Sequence, residues 1–198
     1  MSNEMDFVRA DKLTFDPRVQ LSRVFVEGFY DWIKYFCRNK EKLSAVFEHV
    51  FNTKYFYVAE ENGKIASMAA CTQGFSPIAL RRKEFSRGLG FIRGNFAYYM
   101  LKRHMIRNSY PFTLGKNTGS IEFVATSEEF RRQGVCHALL SYIIAQTPYD
   151  SYVLEVADTN TNALNLYQKL GFKEIKRTKA PKRSGINFFL YMRKAKFP

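Results

Sequence analysis

Residues 122–140, EFVATSEEFRRQGVCHALL, run from a short apolar segment through a polar turn into a helical pattern, with no room for another element between. The reading is strand, turn, helix start. The first turn of a helix carries N–H groups without intrahelical partners, and the aligned peptide dipoles place partial positive charge there. An anion is attracted and oriented at such a junction. Gly134 lets a ligand approach the backbone, and Arg131 and Arg132 add full charge beside it, which suits a pyrophosphate better than a single carboxylate. Neither a Gly-Lys-Ser/Thr ending nor the three glycines of the dinucleotide fingerprint is present. On its own, a tight turn bearing solvated arginines reads equally well.

Working outward, Gly115–Gly119 breaks the chain before a central strand at Ser120–Thr126. The order downstream is helix 135–146, strand 152–156, helix 161–170, and strands near 174–179 and 186–193. This alternation predicts a parallel strand pair joined by a crossover helix. Upstream, MDFVR at 5–9 reads as a first strand, and Asp16-Pro17 starts a helix through about Cys37. Phe25, Phe29, Trp32 and Phe36 share one face of it, as core or as a pocket wall. Glu27 and Asp31 lie on another face, solvated or placed to receive a cationic amine. A second helix, NKEKLSAVFEHVF, buries Leu43, Val46, Phe47 and Val50 and leaves His49 on the surface. Strands 55–60 and 64–71 flank Glu61-Asn62-Gly63, a hairpin signal.

With 198 residues, 46% hydrophobic and 16% aromatic, one domain spanning 1–198 with a sizeable core is expected. No apolar run approaches the roughly 20 residues that cross a bilayer, and the acidic, mixed start is no signal peptide. Three scattered cysteines and three scattered histidines give no metal-ligand spacing, so no metal site is expected, and the thiols suit a reducing cytoplasm. The net charge of +13 is local. Residues 76–116 carry nine Lys/Arg against one acid and residues 169–198 ten against one, leaving twelve against sixteen elsewhere. Segment 76–116 thus reads as a basic helical insertion, either a cover with its charges in water or a helix lying on a membrane.

Residues 160–172, NTNALNLYQKLGF, supply a second motif after the Arg131–Cys136 turn, of the pattern N-x-x-A-x-x-L-Y-x-x-x-G-F. In this order and about 25 residues apart, the two motifs resemble those of the GNAT superfamily of acyl-CoA N-acyltransferases. The turn departs from the family pattern at Cys136, where Gly or Ala is usual; cysteine is still small, but its side chain narrows the approach. The resemblance implies an α/β (α+β) fold with a mixed, mostly antiparallel central sheet, helices on both faces and a splayed parallel pair at the cofactor site.

The resemblance also implies acetyl-CoA as acyl donor, bound along Phe123, Val124, Ala125 and Thr126 by its pantetheine arm. The pyrophosphate would meet Arg131, Arg132, Gln133, Gly134, Val135, Cys136, His137 and Ala138. Asn160 would contact the cofactor, cap the helix at Thr161, or do both. Tyr167 matches the family tyrosine at the departing sulfur; otherwise it is a core aromatic. Glu122, the one acid inside the central strand, shares a face with Ser120 and Val124 by alternation and is the candidate base, or a strand-end carboxylate paired with a nearby cation. The expected activity is acetyl transfer to a primary amine of a small molecule or peptide. A non-catalytic acyl-CoA sensor and a nucleic-acid or membrane binder on the same scaffold are the alternatives. Nucleic acid is not the expected partner, and a homodimer is left open.

Overall fold

The computed structural model describes residues 5–106, 110–182 and 184–196, apart from the side chains of residues 104 and 106. Seven strands form one sheet: β1 (Asp6–Arg9), β2 (Phe56–Glu61), β3 (Lys64–Thr72), β4 (Thr118–Thr126), β5 (Ser151–Ala157), β6 (Lys173–Lys179) and β7 (Phe188–Ala195), in spatial order β1-β2-β3-β4-β5-β7-β6. Every neighbouring pair is antiparallel except β4 and β5. Six α-helices accompany the sheet: α1 (Arg18–Ile33), α2 (Lys40–Phe47), α3 (Arg82–Leu89), α4 (Phe91–Leu101), α5 (Val135–Gln146) and α6 (Thr161–Lys169).

The helices divide between the faces because the sheet buries residues on both sides, most fully along β3. Leu21, Val24 and Phe25 of α1, Leu43 and Phe47 of α2, Phe85 of α3 and Ala97 of α4 pack with Phe56, Met68 and Ala70. On the opposite face Leu139, Leu140 and Ile143 of α5 and Tyr167 of α6 pack with Ala69, Ile121 and Leu154. Continuous burial through β3 reflects this double covering. The buried Tyr152 hydroxyl has a polar partner, Thr147 Oγ1 at 2.7 Å, as burial of a phenol requires.

The sequence places most elements, with shifts at their ends. Helix α1 stops at Ile33, before Cys37, and the chain turns there through a backbone bond from Phe36 N to Ile33 O. Asp16 does serve the helix start, accepting from Arg18 N at 3.1 Å. His49 is half-buried rather than on the surface, because its Nε2 accepts the N–H of Arg81 at the entrance to α3, and burial lowers its pKa. The basic stretch is helical in both halves: α3 and α4 meet at Gly90, whose φ of 85° makes the corner.

Candidate active site

β4 and β5 pair over only three steps, Thr118 with Ser151, Gly119 with Tyr152 and Ser120 with Val153. Beyond Ser120 the two strands part, and β5 continues alongside β7. β4 remains hydrogen-bonded to β3 on its other side, so residues 121–126 form one wall of an opening in the middle of the sheet. An extended ligand there can bond to backbone as another strand would.

A bulge shapes that wall. The β3–β4 register steps from Met68↔Ala125 to Ala70↔Glu122, which inserts one extra residue on β4, and Phe123 takes a φ of 54°. Such a φ is strained for a bulky residue, with a cost on the order of 1–3 kcal/mol. The Phe123 ring is held by aromatic contacts to Phe25, Phe29 and Phe56 at 6.2–6.3 Å, which offset part of that cost. The bulge also corrects a sequence expectation. Glu122 lies opposite Ala70, on the face of α1–α4, whereas Val124 packs against the α5–α6 face. Glu122 and Val124 therefore do not share a face.

The turn after β4 contains a short 3-10 segment, Glu128–Phe130, and then reverses at Arg132 (φ 65°) and Gly134 (φ 80°). Left-handed conformations on either side of Gln133 turn successive N–H groups toward one side, an anion-binding concavity. Gly134 is the N-cap of α5 and supplies no side-chain cap, and the first helical bond from this cap is Ala138 N to Gly134 O at 3.1 Å. The N–H groups of Val135, Cys136 and His137 precede that bond and so point out of the helix end. Nothing lies within 4 Å of where a Gly134 Cβ would stand, so its approach is open. Arg132, Gln133 and His137 are exposed around it.

Arg131 is committed differently. Its guanidinium donates to Thr126 O and to Glu27 O, both at 3.2 Å, and so fastens the turn to α1. Glu27 Oε2 accepts Glu128 N at 2.8 Å, a brace that the two sequence readings of this residue both missed, and Asp31 pairs with Lys34 at 2.6 Å. The Cys136 thiol is buried among Thr126 and Ser67, and burial pushes its pKa up to about 11. It faces the sheet as a neutral thiol and leaves the helix end clear.

Tyr167 is 6% exposed, stacks edge-on against Phe172 at 6.1 Å, and interacts electrostatically with Cys136. Burial raises its pKa, so it is a neutral hydrogen-bond donor at physiological pH. Asn160 caps α6, its Oδ1 accepting from Ala163 N at 3.2 Å.

Glu122 is half-buried, and burial, followed by the neighbouring Glu155 carboxylate, pushes its pKa up to about 7. Sequence reasoning missed Glu155. It sits opposite Tyr191 on β5, on the same side of the sheet as Glu122, since Tyr152, Leu154 and Val156 fill the other side. Its pKa is also raised by desolvation, partly offset by a hydrogen bond from Tyr191, even though the residue as a whole remains solvent-exposed. Tyr110, Phe112 and Tyr191 contact one another at 5.6–6.0 Å, and Tyr110 interacts with both glutamates. The one signal that could have found Glu155 is that it is the only acid in the apolar strand SYVLEVA. A cleft of about 380 Å³ between α1 and the 127–130 turn, lined by Gln20, Arg23, Glu27 and Lys64, contains neither Glu122 nor Glu155.

An open β4 edge, an anion-binding helix start and a poised carboxylate are the parts an acyl-CoA transferase needs. The Acetyltransferase (GNAT) family description matches residues 23–172. The chain belongs to the GNAT acetyltransferase family. The N-alpha-acetyltransferase of Sulfurisphaera tokodaii is 42% identical over 62 residues, covering 29% of this chain and 37% of that protein. The match thus spans little more than a third of that relative's length. Among solved structures, the N-acetyltransferase from Staphylococcus aureus Mu50 superposes with a TM-score of 0.63 at 15% identity, covering 96% of this chain and all of that one. The histone acetyltransferase HPA2 and related acetyltransferase from Corynebacterium glutamicum ATCC 13032 gives 0.62 at 20% identity over 94% of each chain. At these identities the likeness establishes the GNAT fold.

Proposed function

We propose that this GNAT protein transfers an acetyl group from acetyl-CoA to a primary amine by direct attack while donor and acceptor are bound together, and that it works in the cytoplasm. The observation that carries the reading is Glu122: a half-buried carboxyl with a pKa near 7, on the wall of the β4/β5 opening. A general base is most effective when its pKa lies near the working pH.

The residues present fit the donor. The α5 start, with its left-handed Gly134 and exposed Arg132, suits a pyrophosphate. The unpaired side of residues 123–126 suits an extended amide-bearing arm. When bound, acetyl-CoA supplies an activated thioester. Glu122 accepts a proton from the ammonium of the acceptor, directly or through a water, because an alkyl amine is mostly protonated at neutral pH. Tyr167 donates a hydrogen bond toward the departing sulfur; full protonation by so weak an acid would be uphill, so stabilising developing charge is its role. Asn160 keeps its amide N–H groups for the donor while its oxygen caps α6. Most of the acceleration comes from alignment, which is worth on the order of 7–11 kcal/mol in well-oriented systems.

The acceptor enters past Glu122, Glu155, Tyr110 and Tyr191, two carboxylates and two phenols that favour a cation. A peptide amine is one member of that class, in keeping with the name of the Sulfurisphaera relative. A thiol-release screen with acetyl-CoA against polyamines, amino acids, aminoglycosides and peptides tests the proposal. Release that depends on an amine, with the acetylated amine detected by mass, supports it. Saturable acetyl-CoA binding without release on any amine would favour a sensor instead.

A further inference from the structure

Helix α4 buries Gly94 and Ala97 and exposes most of its large side chains. Gly94, Ala97 and Leu101 face inward, while Phe91 is 74%, Ile92 82%, Phe96 60%, Tyr99 56% and Met100 37% exposed. A Cβ at Gly94 would run into the backbone of Phe85, so α3 and α4 approach closely through small residues. That close approach leaves the large side chains pointing outward. Ile92, Phe96, Tyr99 and Met100 follow i, i+4, i+7, i+8 steps and form one stripe. The end of α1 and the turn after it extend it with Trp32 and Tyr35, 53% and 82% exposed, joined by the contact of Phe36 with Phe96 at 6.1 Å.

Cations border the stripe. Arg93 and Lys102 lie on its two flanks by helical spacing, the Arg82 guanidinium sits 5.6 Å from the Tyr99 ring centre, and Lys102 Nζ is 5.7 Å from that of Tyr98. Arg82 also donates to Asn95. Glu84 is the only acid between residues 76 and 116.

Contiguous exposed apolar surface rimmed by charge marks an interaction site. A second copy of the chain would bring the same basic rim against itself across a two-fold axis, with like charges opposed. An anionic lipid surface satisfies both components: aromatic and aliphatic side chains enter the headgroup layer, and arginine and lysine reach phosphates. We propose that the stripe formed by α4 and the end of α1 seats the protein on an anionic membrane surface. No helix among the described residues is long and apolar enough to cross a membrane, so this is attachment in the interfacial plane.

Trp32 is the only tryptophan in the chain and lies in the stripe, so it reports directly. The full chain is titrated with vesicles of phosphatidylcholine alone and with a minority of phosphatidylglycerol. Binding to the anionic vesicles only, with a blue shift of Trp32 emission and weakening on added salt, is expected. The double variant I92S/F96S, altered at exposed positions and checked for native circular dichroism, should bind more than roughly tenfold more weakly. The proposal is overturned by no binding to anionic vesicles at low salt, by undiminished binding of I92S/F96S, or by a stable dimer in light scattering that I92S/F96S dissociates. Tighter binding to an RNA oligonucleotide than to the vesicles, lost in I92S/F96S, would assign the stripe to nucleic acid and overturn it as well.

Discussion

At the residue scale Glu122 is central, and its environment makes two predictions with opposite signs. Its native pKa, about 7, lies above the ordinary 4.5, so between those values the folded protein holds a proton that the unfolded chain releases. Stability from this group falls as pH rises through that window and levels off above it. Glu122→Gln removes the ionisation, so thermal or urea unfolding should find the variant more stable than the native protein near about pH 8, by up to roughly 3 kcal/mol, and nearly equal near about pH 4. The same substitution should lower turnover, because the poised carboxylate is the proposed base. Stability gained with activity lost separates this role from a merely structural one. Tyr167→Phe keeps the ring against Phe172 and removes the hydroxyl, so kcat should fall, roughly 10- to 100-fold, with little change in KM for acetyl-CoA. Glu122 was readable from sequence as the lone acid of its strand, but its pKa was not. That depends on Glu155, on β5, more than 30 residues away, and on burial among segments that meet only in the folded sheet.

At the scale of elements, the β4–turn–α5 unit was legible because each part has a local cause: a short apolar run for the strand, glycine for the left-handed cap, apolar periodicity for the helix. The bulge at Phe123 has no such signature, since nothing local distinguishes this phenylalanine from one in regular strand, and the rings that hold it come from α1 and β2, distant in sequence. For the same reason the alternation that placed Val124 beside Glu122 failed there. Two glycines test the unit. Gly134→Ala meets no neighbour but must adopt a φ of 80°, so stability should fall only about 1 kcal/mol while KM for acetyl-CoA rises. Gly28→Ala would bring a Cβ to 2.7 Å from the Ala125 side chain, where α1 lies against β4. Denaturant unfolding should show about 1–3 kcal/mol lost, and because α1 also braces the turn through Glu27, the helix shift should weaken donor binding too.

At the scale of the whole molecule, the central sheet divides the work. One face, under α5 and α6, carries the groups proposed for the donor: helix start, Asn160 and Tyr167. The other carries Glu122, Glu155 and the aromatic residues around Tyr110, next to the basic α3–α4 segment. Two motifs point to the first half because close approach to backbone and helix start restricts residue type at fixed spacing. The proposed acceptor side is assembled from side chains of β4, β5, β7 and the 110–112 loop, so no short spacing encodes it. Net charge was read as local from sequence, yet the outward placement of Phe91, Ile92 and Phe96 was not, because α4 reverses the usual rule of large residues inside.

The most direct measurement is the pH dependence of amine-dependent thiol release from acetyl-CoA, compared between the native protein and Glu122→Gln. The native kcat/KM should rise through an acidic limb near pH 7, as Glu122 loses its proton, and the variant should show a lower rate with that limb flattened. Identical profiles in the two proteins, or thiol release that no amine accelerates, would contradict it.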